Sequence, residues 1–514
     1  MKGRGKRIRV QYTLRLFSVL VTGLASIGAC AQITYPNPIK HVILIDQENR
    51  TVDNLFGSNS PSNQYYLPGL VVSTTGQAYT ITAGKKTVFS VNSVSIPLAS
   101  VPGKGDSIEA DDYDPGHAHT LWGAACDAPV ITDPSTSCAM DGFNLVTVTC
   151  SPGVTGCPGP KYPSYAYVQY KDVGPYFQIA SQYGYANYVF QTNQGPSFPA
   201  HQFIFGGTSQ TGTGVQPTWF ASENIPTTDT VNGCAAKTGT TVRLVNPATQ
   251  DEKTTMFPCF NHDTLADVFA AASPQITWTY YTVGNSSLLT GPNAIQAICT
   301  VKGGVCSGPY WTKGQSNGYV DVKPSDILTD IAACNFKQVS WVIPTGLESD
   351  HATATDGSGP SWVASIVNAI GTQPKCKSGE NYWDDTVILI TWDDWGGWYD
   401  HVVPPALSSK APANASSYVY GFRVPLLVVS AYTPKGTVSN TMGLDFGAML
   451  KFIEEIFNVG YISPGDYADS YANDDLAEFF QFSKPPRTFQ KIAAPLKKEV
   501  FLDPKRPVEP PDND

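Results

Sequence analysis

Five short runs constrain the fold most: His41-Val-Ile-Leu-Ile45, Gln275-Ile-Thr-Trp-Thr-Tyr280, Gln338-Val-Ser-Trp-Val-Ile343, Thr386-Val-Ile-Leu-Ile-Thr391 and Val424-Pro-Leu-Leu-Val-Val-Ser430. Each is rich in β-branched residues and bounded by polar turns. Their apolarity is continuous and does not alternate, as expected of strands covered on both faces in a parallel sheet. Helical candidates lie between them, at 264–272, 362–370 and 446–458. In the last, Met449, Phe452, Ile453 and Ile456 recur at helical spacing. This alternation predicts an α/β layered core.

Composition narrows the class. The 514 residues are 15% charged and 42% hydrophobic, too apolar for a disordered chain. A formal charge of −10 argues against a nucleic-acid binder that works by neutralising phosphates. Lys2, Arg4, Lys6, Arg7, Arg9 and Arg15 precede an apolar run from Leu16 to Ala29, the pattern of an export signal. Cleavage after Ala31 is the expected processing, and a lipoprotein anchor at Cys30 is the alternative. Removing six of the 33 basic residues and no acid leaves 27 against 43, a charge of −16. Apart from Cys30 there are ten cysteines, an even number that suggests five disulfides in an oxidising compartment. Sequential pairing would close five local loops. No cysteine has zinc-site spacing. No apolar stretch is long enough for a stable transmembrane anchor.

The expected organisation is a signal at 1–31, one folded domain with insertions at 32–483 and a Pro-rich tail at 484–514, extended along the surface or disordered. Gly/Ser/Thr/Pro-rich stretches near 58–105, 126–163, 206–258 and 286–318 read as insertions decorating the core. They hold many of the cysteines.

Two of the apolar runs end in chemistry. One leads into Asp46-Gln-Glu48-Asn49-Arg50, another into Trp392-Asp393-Asp394-Trp395-Gly396-Gly397-Trp398-Tyr399-Asp400-His401. Ligands of open α/β sheets bind beyond the carboxyl ends of the strands. Paired acids repel unless a cation lies between them, and carboxylate and amide oxygens are hard ligands. Taken alone, Asp-Asp-x-Gly-Gly also reads as a polar turn. The seven histidines include His117 and His119 in Asp114-Pro-Gly-His-Ala-His119, His351 in Ser349-Asp-His351, and His401 after Asp400. Imidazoles beside carboxylates can neutralise oxyanions or protonate a leaving oxygen. His41, His201 and His262 lack such company and read as structural. In Asn193-Gln-Gly-Pro-Ser197-Phe-Pro, the prolines predict a tight turn opening a helix, which places the Ser197 hydroxyl at a positive helix end. No Gly-x-Ser-x-Gly elbow surrounds it, unlike the α/β-hydrolases.

Together, Glu48-Asn-Arg-Thr-Val-Asp53-Asn-Leu-Phe-Gly57, Met140-Asp-Gly-Phe143, Gly195-Pro-Ser197, Ser349-Asp-His351, the 392–401 segment with Pro404-Pro405, and Tyr420-Gly-Phe-Arg-Val-Pro425 resemble the bacterial phosphoesterase family of phospholipases C and acid phosphatases. The resemblance runs in family order from about 39 to 458. It implies an alkaline-phosphatase-like three-layer α/β core with a mainly parallel sheet, and phosphoryl transfer through a phospho-serine. It also implies one or more divalent metal ions held by Glu48, Asn49, Ser197, Asp393 and Asp394, with Ser197 as nucleophile. His117 and His351 would contact the phosphate or protonate the leaving group. His401 would do the same or stand behind the site, and either His117 or His119 occupies the family position.

Three departures qualify the resemblance. Ser197 stands where phospholipases often have Thr, and Asp393-Asp394 replaces their Asp-Glu. Phe446 stands where many relatives have His. The expected function is a secreted or periplasmic phosphoric-ester hydrolase acting on a phosphomonoester or phospholipid. A metal-stabilised, non-catalytic cell-envelope binding protein is the competing reading, and a sulfuryl or phosphonate hydrolase would make similar demands on the site. Trp392, Trp395, Trp398 and Tyr399 could wall a lipid or choline site, or simply pack.

Overall fold

The computed structural model describes residues 37–511 except 83–84, 92–112, 128–133, 151–161, 213, 215, 217, 225–232, 285–287, 380, 408–419 and 464–466. The export-signal segment, Cys30 and Cys157 lie outside the described residues.

Eight strands form the central sheet: β1 (His41–Gln47), β2 (Gly184–Ala186), β3 (Trp278–Tyr281), β4 (Gly318–Asp321), β5 (Val339–Val342), β6 (Thr386–Trp392), β7 (Leu426–Ser430) and β8 (Thr437–Ser439). The order is β4-β3-β5-β1-β6-β7-β2-β8, and only β7 is antiparallel to its neighbours. All five apolar runs are strands of this sheet. The short β2, β4 and β8 carry too few apolar residues to stand out in the sequence. The central strand β1 is buried along its whole length, which explains its unbroken apolarity.

Helices cover both faces. Trp341 in β5 donates from Nε1 to the Ile204 carbonyl of one helix, α3 (Ser197–Gly206), at 3.1 Å. Parallel register aligns Trp341, Leu44 and Leu389, so all three face α3. Trp392 has the opposite parity in β6 and meets Tyr176 of α2 (Gly174–Gln182) edge to face at 5.1 Å. Helix α2 packs beside α6 (Gly359–Thr372), whose neighbour is α5 (Asp326–Ala332). On the first face α3 packs against α7 (Phe446–Phe457), and Phe269 of α4 (Leu265–Ala271) meets Trp341. Caps set these boundaries: Thr264 and Asp267 form a capping box, and Asp445 accepts from the Ala448 amide at 3.0 Å.

The direction of β7 has a consequence for the site. An antiparallel β7 enters the sheet at the edge where β6 leaves it, so the connection from Asp393 to Arg423 begins and ends at that edge. The parallel strands β1, β2, β5 and β6 all deliver their carboxyl ends there.

The insertions are small antiparallel units, including a three-stranded sheet of Phe220–Asn224, Val242–Val245 and Thr254–Met256. Disulfides join Cys126–Cys138, Cys234–Cys259, Cys299–Cys306 and Cys334–Cys376, each following sequential pairing. Beyond Lys484 the chain runs along the surface but is anchored: Ile492 and Phe501 are buried, and Arg506 pairs with Glu348. Among the described residues no helix is long and apolar enough to cross a membrane.

Candidate active site at the strand ends

The sheet register assembles the acids. Asp46 pairs with Thr391 and Gln47 with Trp392, and the Asp393 amide continues the ladder by donating to the Gln47 carbonyl at 3.0 Å. Glu48 and Asp393 therefore leave adjacent strands side by side. Asp46 and Glu48, two residues apart in an extended segment, share the α3 side. Asn49 turns the chain through a left-handed conformation (φ 61°), and its amide donates to Asp393 Oδ1 at 2.9 Å.

Two glycines shape the second acidic loop. Gly396 has φ +57°, and a Cβ there would lie 2.3 Å from the Asn49 carbonyl oxygen. At Gly397 (φ +73°) a Cβ would lie 2.5 Å from Pro115 Cβ. Only glycine permits both the conformation and the approach. The Gly396 amide donates to Asp394 Oδ1 at 2.6 Å, and the other oxygen, Oδ2, accepts from Ser197 Oγ at 3.3 Å. Ser197 is buried as the first residue of α3, where unpaired helix amides favour negative charge.

His117 reaches this group from the insertion loop. Its Nδ1 lies 3.1 Å from the Pro115 carbonyl, which can only accept, so Nδ1 carries the hydrogen and Nε2 accepts from Asn49 Nδ2 at 3.2 Å. His351 follows β5, and its ring centroid is 6.1 Å from that of His117. Its Nδ1 donates to the Ala352 carbonyl at 2.6 Å. The loop holding it is fastened through Asp350, whose Oδ2 accepts from Trp392 Nε1 and Tyr176 Oη and whose carbonyl accepts from Arg50 Nε. Glu48, Asn49, Ser197, Asp393, Asp394, His117 and His351 thus form one connected group drawn from four strand ends and one insertion.

His119 and His401 are placed elsewhere. His119 faces Glu252 of an insertion, with Nδ1 3.3 Å from Oε1, and stacks on Trp122. His401 donates from its amide to Asp53 Oδ2, and its Nδ1 lies 2.7 Å from the same oxygen. Asp53 and Asp400 both pair with buried Arg423 at 3.2 and 3.0 Å. This group braces the loop behind the metal-ligand candidates, since the Asp53 amide donates to Asp400 Oδ2 and Thr51 Oγ1 donates to the Tyr399 carbonyl. Burial alone would lower the His401 pKa, but the hydrogen bond and charge of Asp53 outweigh it and the group is raised.

His201 and Asp46 were not expected here. His201 lies fully buried one turn beyond Ser197, with Nε2 3.5 Å from Glu48 Oε1 and 3.8 Å from Asp393 Oδ2, and Nδ1 3.5 Å from Asp46 Oδ2. Burial pushes its pKa down to about 4, against the pull of Asp393, so the ring is neutral at neutral pH. Asp46 is pushed well above the usual carboxylate range by burial first, then by the charges of Asp393 and Asp394. Two spacings carried a signal: Ser197 and His201 sit four apart on a helix, and Asp46 and Glu48 two apart on a strand.

The aromatic residues divide by burial. Trp392, Trp395 and Trp398 are inaccessible, Trp395 packing among Phe143 and Phe422 and Trp398 under the Arg50 guanidinium. Only Tyr399 keeps partial exposure, stacked on Tyr165. Phe446 is buried at the start of α7, where its amide donates to Thr192 Oγ1 at 3.1 Å.

The unsatisfied atoms reveal what the site can hold. Both carboxylate oxygens of Asp46, Asn49 Oδ1, Asp393 Oδ2 and His201 Nε2 are buried without a hydrogen-bond partner. All are acceptors. Buried acceptors without donors are costly and call for a cation. Ligand atoms of Glu48, His201 and Asp393 lie within 4.8 Å of one another, close enough to share an ion. The donor set fits a divalent metal.

The phosphoesterase family model matches residues 39–460. The chain belongs to the phosphoesterase family. Within the family it is similar to phospholipase C A of Mycobacterium tuberculosis, 25% identical over 196 residues that span 35% of this chain and 36% of that protein. It also resembles the non-hemolytic phospholipase C of Burkholderia pseudomallei, at 29% over 189 residues, 32% of this chain and 26% of the relative. The matched segments of this chain thus span only about a third of these relatives or less. Among solved structures, a protein of the alkaline phosphatase superfamily from Vibrio parahaemolyticus aligns with a TM-score of 0.30 and 10% identity, over 61% of this chain and 66% of that one.

Proposed function

We propose that the protein is a secreted, metal-dependent phosphoric-ester hydrolase working through a phospho-serine at Ser197. The supporting observation is the convergence of a helix-terminal hydroxyl, four buried carboxylates and three imidazoles on one sheet edge. Glu48, Asn49, Asp393 and Asp394 would hold the metal, with Ser197 beside it. The bound ion would lower the serine pKa and screen the phosphate charge. Asp394 orients the Ser197 hydroxyl and receives its proton as the Oγ–P bond forms and the bond from phosphorus to the leaving oxygen breaks. His117 and His351 are each fixed by an Nδ1–H to carbonyl bond, and in the imidazolium form the second proton, on Nε2, passes to that oxygen and leaves the neutral Nδ1–H ring. Water then cleaves the phospho-serine to release phosphate. Export is supported by the basic, apolar amino-terminal segment and by the disulfides.

The phospholipase C reading rests on the named relatives. The burial of Trp392, Trp395 and Trp398 removes the aromatic wall as support for a lipid or choline site and favours a small phosphomonoester. Hydrolysis of p-nitrophenyl phosphate, lost on chelation and abolished in a folded Ser197→Ala protein, is the expected result. Full activity in that variant would sink the mechanism. Lack of turnover of any phosphoester by the metal-loaded protein would favour a binding role. Faster turnover of phosphatidylcholine than of p-nitrophenyl phosphate would restore the lipase reading.

A further inference from the structure

We infer that His201 is a nitrogen ligand of the metal centre, held for that role by Asp46. This rests on the metal-dependent reading above and adds to it an imidazole that the oxygen-only ligand set lacks.

His201 has two acceptors on its Nδ1 side: Asp46 Oδ2 at 3.5 Å and the Tyr280 hydroxyl at 3.4 Å. That hydroxyl donates its own hydrogen to the Leu289 carbonyl at 3.0 Å, leaving its oxygen to accept. Both neighbours therefore favour the Nδ1–H tautomer. The Nε2 lone pair then points at Glu48 Oε1 and Asp393 Oδ2, two further acceptors, and no donor satisfies it. Three acceptors facing one another in a buried interior repel unless a cation lies between them. A carboxylate behind the distal nitrogen of a ligating imidazole is the usual means of fixing its tautomer and raising its basicity. Helix α3 couples the parts, because Ser197 and His201 are separated by one turn and project from the same face. One rigid element would thus place both the nucleophile and a ligand. An imidazole also changes the metals that suit the site, from Mg²⁺ or Ca²⁺ toward transition ions.

The test uses the full-length protein, stripped with chelator and reloaded with one equivalent of Cu²⁺, which binds nitrogen and oxygen sites more tightly than other divalent first-row ions. Pulsed electron paramagnetic resonance should detect the remote ¹⁴N of a coordinated imidazole in the wild type. The coupling should disappear in His201→Gln and persist in His117→Gln. Asp46→Asn, which leaves the imidazole in place, should keep the coupling and bind metal about 10- to 100-fold more weakly. Bound Cu²⁺ without imidazole coupling in the wild type overturns the inference while leaving metal dependence intact. So does a coupling that survives in His201→Gln. Failure of the wild type to retain Cu²⁺ brings down both. Should His201→Gln fail to fold, the wild-type spectrum and Asp46→Asn still decide.

Discussion

His117 and His119 are separated by one residue and do different work. His117 turns its Nε2 to Asn49, whereas His119 faces Glu252 across an insertion. A similar division separates His351, beside His117, from His401, which serves the Asp53–Asp400–Arg423 group. In that group Arg423 satisfies two buried carboxylates and the carbonyls of Val71 and Asn187. Removing one member of a buried ionic cluster strands the others. Arg423→Met should therefore cost about 3–5 kcal/mol in stability, measured by urea denaturation. A loss below about 1 kcal/mol, the scale of a surface pair, would show that the cluster does not brace the loop.

At the scale of elements, α7 shows how a helix is built around a protonated acid. Glu454 is on its buried side, and burial followed by the neighbouring Asp469 charge pushes the carboxyl up to about 10. A raised carboxyl pKa in the folded state means that folding takes up protons between the unfolded value, near 4.5, and about 10. Its contribution is complete below pH 4.5 and fades as pH rises through that window. Glu454→Gln, which mimics the neutral form, should lose less thermal stability than the wild type between pH 5 and 9. Parallel melting curves for the two proteins would contradict this. Much at this scale was legible in the sequence. All five apolar runs are strands, and the expected helices at 264–272, 362–370 and 446–458 appear as Leu265–Ala271, Gly359–Thr372 and Phe446–Phe457. Strands β2, β4 and β8 were not legible, because three- or four-residue strands with Gly, Ser or Asp carry no periodicity.

For the whole molecule, the carboxy-terminal stretch acts as a strap. The Arg487 carbonyl accepts from Trp383 Nε1 at 2.5 Å, Asn368 of α6 makes two bonds to the Ile492 backbone, and the Ala493 amide donates to Gln178 of α2. The Cys334–Cys376 disulfide closes a 42-residue separation around α6, worth about 4 kcal/mol by loop entropy. Deleting residues 487–511 should uncover Trp383 and Trp362, which pack against Phe489 and Phe501, and lower the melting temperature by several degrees, read by calorimetry. An unchanged melting temperature would show the strap to be energetically idle.

The layered α/β class, the acids at the ends of β1 and β6, and a serine opening a helix are all legible along the chain, because each is a pattern within a single element. His201 read as structural and Asp46 as no more than part of a polar strand end, because their spacings from Ser197 and Glu48 say nothing of what those side chains face. Which side chains meet depends on packing between elements. Sheet order brought β1, β2, β5 and β6 to one edge, the glycine turn at Gly396 closed the Asp394 loop onto Asn49, and burial drew Asp46 and His201 into the acidic cluster while sealing three tryptophans into the core. Strands separated by up to hundreds of residues become neighbours through packing on a shared core, and no local periodicity encodes that adjacency.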